Sequence, residues 1–312
     1  MYEIPKNLKN LYRHWQNHVN PILPEKINIV CNKKILRKID LFIKKRMEIW
    51  HKKKFRKSPP YTSDPIISKY RFCNIYRELD RQTIQIHYFL GNLRNNFPLW
   101  LLNVAFCRFT CNPDIILKIG FLNFNKKHNQ KIYEKLIKLP RPKFGSAYVF
   151  PISIILKSDY PTREKFLCFY LPKIISKIAK LIQDQNKISI SECLNKIIFI
   201  FKFNFKFHWT EILIDVAYQY PKFINLYGKF PIGPGSIPTM KLLNKKIDPE
   251  NIALFLINHK PRNFPYLTYN NKPIILSTEN WEGIGCEFRK YSNLKNGTGR
   301  KRKYTAFHEW QI

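Results

Sequence analysis

Residues 70–81 read YRFCNIYRELDR, a run that sets Asn74, Arg77, Glu78, Asp80 and Arg81 among Tyr70, Phe72, Ile75, Tyr76 and Leu79. Arginine forks grip phosphate or carboxylate oxygens through paired hydrogen bonds, and clustered carboxylates take up and release protons. On a helix, Phe72, Ile75, Tyr76 and Leu79 would share one apolar stripe, with Asn74, Arg77, Glu78 and Arg81 on the adjacent polar face. Arg77 and Arg81 would then be an i,i+4 like-charge pair, which costs a few tenths of a kcal/mol unless something negative lies between them. That partner is either Glu78 or Asp80, in a self-compensated network, or a bound phosphate. The residues alone leave both open.

Three further constellations bear on chemistry. Glu211, Asp215 and Gln219 fall on one polar line of a helix over 210–220, whose other face carries Ile212, Leu213, Val216, Ala217 and Tyr220. Asp215 is thus a candidate catalytic carboxylate, although a lone helix acid is more often exposed and structural. GPGS (233–236) precedes another helix and offers backbone N–H groups to an anion, or is an ordinary turn. Cys107 and Cys111, spaced by three residues with no His nearby, read as two buried thiols rather than zinc ligands. No metal or cofactor is called for. The motifs of P-loop kinases, H-E-x-x-H zincins and G-x-S-x-G hydrolases are absent from the chain.

The elements that must position these residues read as mostly helical. Helices are expected over 28–57, from Ser68 to about Arg94, and over 99–109, 113–121, 130–139, 162–184, 189–201 and 210–220. FKFNFKFHW (201–209) is a short strand or an irregular aromatic connector, and the stretch from Ile284 is loop-like and basic. With 312 residues, 45% apolar and 15% aromatic, the chain supports a sizeable core. The expected organisation is an N-terminal extension over 1–30, one helical domain over 31–304 and a tail over 305–312, with few or no strands. No apolar run suggests a membrane span or secretory signal, and the seven scattered cysteines suit reduced thiols, so an intracellular protein is expected, nuclear if eukaryotic and otherwise cytoplasmic.

Charge narrows the partner. Lys and Arg number 55 against 21 Asp and Glu, a formal charge of +34, which points to a polyanion and first to nucleic acid. Part of that excess is compositional drift toward Lys. The rest is clustered, with twelve basic residues between Lys33 and Lys57 and seven between Arg289 and Lys303. Lys52, Lys53, Lys54 and Arg56, with Arg300, Lys301, Arg302 and Lys303, are the candidate DNA-phosphate contacts.

Three blocks in a fixed order carry a family resemblance: PPYTSDPIISKYRFCNIYRELDR (59–81), GPGS (233–236) and GIGCEFRKYSNLKNGTGRKRKY (283–304). Over roughly residues 38 to 304 the chain resembles the helical domain of 5-hydroxymethyluracil DNA kinases and the related alpha-glutamyl/putrescinyl thymine pyrophosphorylases. The resemblance implies a helical fold similar to helix-hairpin-helix DNA glycosylases and a part in making hypermodified thymines. There a phosphorylated or pyrophosphorylated hydroxymethyluracil, extruded from duplex DNA, is attacked by an amine at its activated methylene. It also implies a site lined by Arg71, Asn74, Arg77, Glu78, Asp80 and Arg81, with Asp215, Gly233, Gly235, Glu287, Lys290 and Tyr291 around it. Glu78, Asp80 or Asp215 would deprotonate the amine, and arginines would hold the leaving phosphate. Such folds carry a Gly-rich hairpin before the helix of Asp215, but here that place reads FKFNFKFHWTE, so the basic clusters are the expected DNA grip. No cofactor is implied, and a separate base kinase would supply the activated base. The competing readings are a glycosylase using Asp215 and a non-catalytic DNA-binding module.

Overall fold

A computed structural model of the chain describes residues 1–55, 57–145 and 150–303. Its helices in chain order are α1 (Lys6–Leu11), α2 (Trp15–Val19), α3 (Lys33–Lys54), α4 (Pro65–Lys69), α5 (Arg81–Phe89), α6 (Phe97–Thr110), α7 (Asp114–Ile119), α8 (Lys126–Lys138), α9 (Arg163–Lys165), α10 (Leu171–Gln183), α11 (Ile190–Phe201), α12 (Lys206–Gln219), α13 (Ile237–Leu243), α14 (Pro249–Leu256) and α15 (Thr278–Lys295). A π turn over Phe166–Tyr170 joins α9 to α10. The protein is mostly α, as its periodicity indicates. The chain divides into two compact units: Met1–Asp80 with Leu226–Ile312, and Arg81–Asn225.

In the first unit, β1 (Tyr2–Glu3) runs parallel to β4 (Leu267–Tyr269), which pairs antiparallel with β5 (Lys272–Pro273). The register places Tyr2 opposite Leu267 and Glu3 opposite Thr268. Residues 1–30 are therefore no separate extension: they supply β1, α1 and α2 and bury Ile4, Leu8, Leu11, Tyr12 and Trp15 in this unit's core. The long helix α3 starts at Asn32, whose side chain accepts from the N–H groups of Lys34 and Ile35 at 3.1 and 3.2 Å. Its buried stripe is Ile39, Phe42, Ile43 and Met47. The stretch expected to be a basic loop is instead α15. Ser277 opens it with a capping box, its hydroxyl taking the Asn280 N–H while the Asn280 side chain takes the Ser277 N–H.

The second unit is built around α6, which is buried on every side from Trp100 through Thr110. Helices α10 and α12 pack on it. A capping box of Ser189 and Glu192 starts α11, and β2 (Ile188–Ser189) pairs parallel with β3 (Ile224–Asn225). The aromatic connector is resolved as the end of α11, a left-handed Lys202 at φ 63°, and the start of α12 at Lys206. Phe201 and Phe205 bury into a cluster with Phe109, Phe150 and Phe166, whereas Phe207 is exposed, and His208 stacks on Phe109 at 4.8 Å. Cys107 and Cys111 are both buried free thiols.

Asn103 of α6 secures the loop that follows α7. Its amide donates to the Leu99 and Leu122 carbonyls at 2.9 and 3.0 Å and accepts from the Leu122 N–H at 2.9 Å, all inside the core. Asn103→Ala leaves both Leu122 backbone groups unpaired and should lower the unfolding free energy by about 2–3 kcal/mol in urea titrations. Asn103→Asp, which sets a buried carboxylate oxygen against the Leu99 and Leu122 carbonyls, should cost at least as much.

Candidate active site

The first unit gathers most of the expected site residues through a segment that is not a helix. Asp64 caps α4, accepting from the Ile66 and Ile67 N–H groups at 3.1 Å each, with Pro65 at the first helical position. But α4 ends at Lys69, and the chain runs without a helix from Tyr70, bending at Ile75 and Tyr76, to a single 3-10 turn at Arg77–Leu79. The expectation of one helix from Ser68 to Arg94 fails because other groups take the amides a helix would use. The Arg71 N–H donates to the Arg302 carbonyl at 3.1 Å, that of Cys73 to Glu287 Oε2 at 3.0 Å, and that of Asn74 to Asp80 Oδ1 at 3.1 Å. Arg77 and Arg81 are therefore not neighbours on a helix face, and Arg81 opens α5 in the other unit, exposed.

Helix α15 receives this extended segment. The Lys290 ammonium donates to the Arg71 carbonyl and lies 4.7 Å from the Phe72 ring centre. Tyr291 donates to Asp64 Oδ2 at 2.9 Å, and Glu287 lies 3.6 Å from Lys290. From α3, Arg46 donates to the carbonyls of Phe72 and Cys73 at 3.0 Å each. Asn74 closes the turn by donating to the Leu79 carbonyl at 2.9 Å and Asp80 Oδ1 at 3.0 Å.

The result is a concentration of acid around Arg77. Glu78, wholly buried, has Oε1 2.9 Å from His14 Nε2, and Tyr12 donates to its backbone carbonyl at 2.9 Å. Burial pushes the Asp80 carboxyl up, against the hydrogen bonds from Asn74 and the charge of Arg77. Burial and then the charge of Glu78 push Glu279 up, again opposed by Arg77. Burial lifts Glu282 to about 7, against the Gly233 N–H, which donates to it at 3.3 Å, and Arg77. Five of the 21 acids in a chain of charge +34 thus meet here: Glu78, Asp80, Glu279, Glu282 and Glu287.

The glycine loop serves this wall. Gly233 presents its N–H to Glu282, and Arg289 of α15 donates to the Pro234 carbonyl at 2.8 Å. A side chain at Gly235 would come within 2.6 Å of Cys286 Sγ, so only glycine lets loop and helix approach this closely. Beside it an open cleft of about 200 Å³ is lined by Gly235, Cys286, Arg289, Lys290, Asn293 and Arg300. Lys301 and Lys303 are exposed, and Tyr70 bridges to Lys303. Of the other basic cluster, Lys52 donates to the Tyr61 carbonyl at 2.7 Å, burial and Arg46 push Lys53 down to about 8, and Lys54 is exposed. Arg56 lies outside the described residues.

Glu279, Glu282, His14 and His18 were not among the expected site residues. On α15, Glu279, Glu282 and Cys286 recur at three- and four-residue steps, a signal readable only once 278–295 is taken as a helix.

Asp215 stands apart, in the second unit. It is buried rather than exposed, and Arg108 holds both its oxygens at 2.6 Å, through Nε to Oδ2 and Nη2 to Oδ1. His87 Nε2 lies 3.0 Å from Oδ1, and Gln219 Nε2 is 2.8 Å from His87 Nδ1. Burial would raise this carboxyl, but the Arg108 guanidinium and His87 hold it well below the usual range.

Residues 33–300 match the family described as "5-hmdU DNA kinase, helical domain". The chain belongs to that family. All three motif blocks fall largely inside the match, whereas His14 and His18 precede it. A stretch of 84 residues is 34% identical to a protein of Bacillus phage SP10 named 5-hmdU DNA kinase, and it covers 25% of this chain and 13% of that relative. The match therefore spans only a small fraction of that protein's length. No solved structure matches. Among the described residues, no helix is long and apolar enough to cross a membrane.

The ion pair at Asp215 sets an acid limit on the second unit. A carboxyl held below its unfolded value contributes stability above that unfolded value, near 3.8, and loses it as pH falls further. Urea midpoints should therefore drop between about pH 4 and pH 2 in wild type. Arg108→Met, which strands a buried carboxylate, should cost about 3–5 kcal/mol at neutral pH and should lose less than wild type on acidification.

Proposed function

We propose that this protein modifies a hydroxymethyluracil-derived base in DNA, replacing a phosphate or pyrophosphate on the 5-methylene with an amine. The observation that carries this reading is Glu282. It is a half-buried carboxylate raised to about 7, beside Arg77 and the Gly233 amide, in the wall shared by the family's motif blocks. A base with that affinity is half ionised near neutral pH, where it accepts a proton most usefully. The surrounding carboxylates favour a cationic ligand, and an alkylammonium is one.

The reaction balances without a further reactant. The amine lone pair attacks the methylene carbon, the carbon–oxygen bond breaks, and its electron pair leaves with the phosphate. Glu282 first takes a proton from the bound ammonium to free that lone pair, and the substitution product leaves as a secondary ammonium. Arg289, Lys290 and Arg300, along the open cleft, would hold the departing phosphate and the DNA backbone as bidentate or point-charge partners. An extruded base brings both to one place. Activation of the base is assigned to a P-loop kinase outside these 312 residues. On this reading Asp215 has an architectural role, because Arg108 and His87 already take its oxygens.

The test is the intact mass of a duplex oligonucleotide carrying one pyrophosphorylated hydroxymethyluracil, after incubation with the protein and a pool of amines. Gain of an amine with loss of pyrophosphate is expected. Its rate should rise with pH through about 7 as Glu282 ionises and should fall by about 100-fold in Glu282→Gln, with DNA binding retained. Loss of the base would instead establish a glycosylase, and an unchanged mass with salt-sensitive binding would leave a DNA-binding domain.

A further inference from the structure

His14 caps the N-terminus of α2 and His18 lies in its last turn, four residues on, so the two rings project from the same side. Their centres are 4.2 Å apart. Glu78 approaches from the 3-10 turn, its Oε1 2.9 Å from His14 Nε2 and 3.7 Å from His18 Nδ1. One donor atom from each of the three residues lies within 4.8 Å of the other two. Ligand atoms on a tetrahedral ion at about 2.0–2.1 Å sit about 3.3 Å from one another, and the observed separations bracket that value.

The second observation is His18 itself. It is 4% exposed, and its buried Nδ1, facing Glu78, makes no hydrogen bond. A buried imidazole nitrogen left without a partner is costly, so it normally marks a missing atom.

We propose that His14, His18 and Glu78 bind one divalent transition-metal ion. Two imidazoles and a carboxylate are the donor set of Zn²⁺ and its first-row neighbours, not of Ca²⁺ or Mg²⁺. The site is closed: His14, His18 and Glu78 are 0%, 4% and 0% exposed, so no substrate reaches the ion and its role is structural. It fastens α2 to the turn that carries Arg77. A water or the second Glu78 oxygen completes four ligands. Around the ligands, Tyr12 donates to the Glu78 backbone carbonyl and Tyr227 packs edge-on against His18 at 5.3 Å.

The full chain, stripped with a chelator, would be titrated with Zn²⁺ by calorimetry and with Co²⁺ by visible absorption. One equivalent should bind and raise the melting temperature by about 5 °C or more. Co²⁺ should show the bands of a tetrahedral nitrogen–oxygen site without thiolate charge transfer. His18→Gln should weaken binding about 100-fold with the circular dichroism spectrum unchanged. Cys73→Ser with Cys286→Ser, which removes the two thiols of that unit nearest the acids, should leave binding intact. The wild-type Co²⁺ spectrum needs no variant to fold. Absence of saturable binding, a thiolate band, or full affinity in His18→Gln would each overturn the proposal.

Discussion

Arg77 is the charge on which the first unit's polar interior depends. Asp80 adjoins it in the chain, and Glu279 and Glu282 come from a helix two hundred residues away, yet its guanidinium lowers the protonation of all three. One cation does not neutralise that many buried acids, so burial still prevails and the three carboxyls stay above their ordinary range. Holding such a group together requires strong scaffolding on both sides. The extended segment is clamped through its own backbone, by Arg46 from α3, by Glu287 and Lys290 from α15, and by the Arg302 carbonyl. Charged side chains gripping backbone groups are worth more than neutral pairs, and here they replace the regular ladder that a helix would have supplied.

The two units handle a buried acid in opposite ways. Asp215 receives a guanidinium aligned on both its oxygens and a histidine besides, so it stays ionised and rigid. Glu282 receives one amide at 3.3 Å and a shared arginine, so it stays close to the point of exchanging a proton. The same side-chain chemistry thus becomes a structural strut in one place and a proton acceptor in the other, according to how completely its charge is matched.

That contrast explains what could be read in the sequence. Helices such as α3, α10 and α11 were legible because apolar residues at steps of three and four must lie on one face to be buried. The same rule misread 70–80, where Phe72, Ile75, Tyr76 and Leu79 do become buried, but from an extended chain whose amides are taken by distant groups. Periodicity reports burial, and only hydrogen-bond partners far along the chain decide which backbone provides it. The opposite error fell on α15. The stretch from Ile284 was expected to be a basic loop, yet a side chain at Gly285 would come within 2.0 Å of Ser236 Oγ, so the glycine is there to let α13 and α15 touch. Asp215 was assigned to the right helix and the wrong surroundings, since α12 is buried around its whole circumference and Arg108 lies a hundred residues earlier.

The family blocks, by contrast, were legible as a set, and the structure gives the reason they travel together. RFCN supplies the backbone groups that Arg46, Glu287 and Lys290 hold, REL supplies Arg77 and Glu78, the glycine loop presents an amide to Glu282, and α15 supplies the acids. Removing any one leaves a charge or a backbone group of another without its counterpart. A strongly basic protein with these acids enclosed also sorts its ligands by sign: a polyanion is drawn to the exposed lysines and arginines, and a cation to the wall behind them. The amine and the DNA phosphate of the proposed reaction would be such a pair, each drawn to the opposite charge.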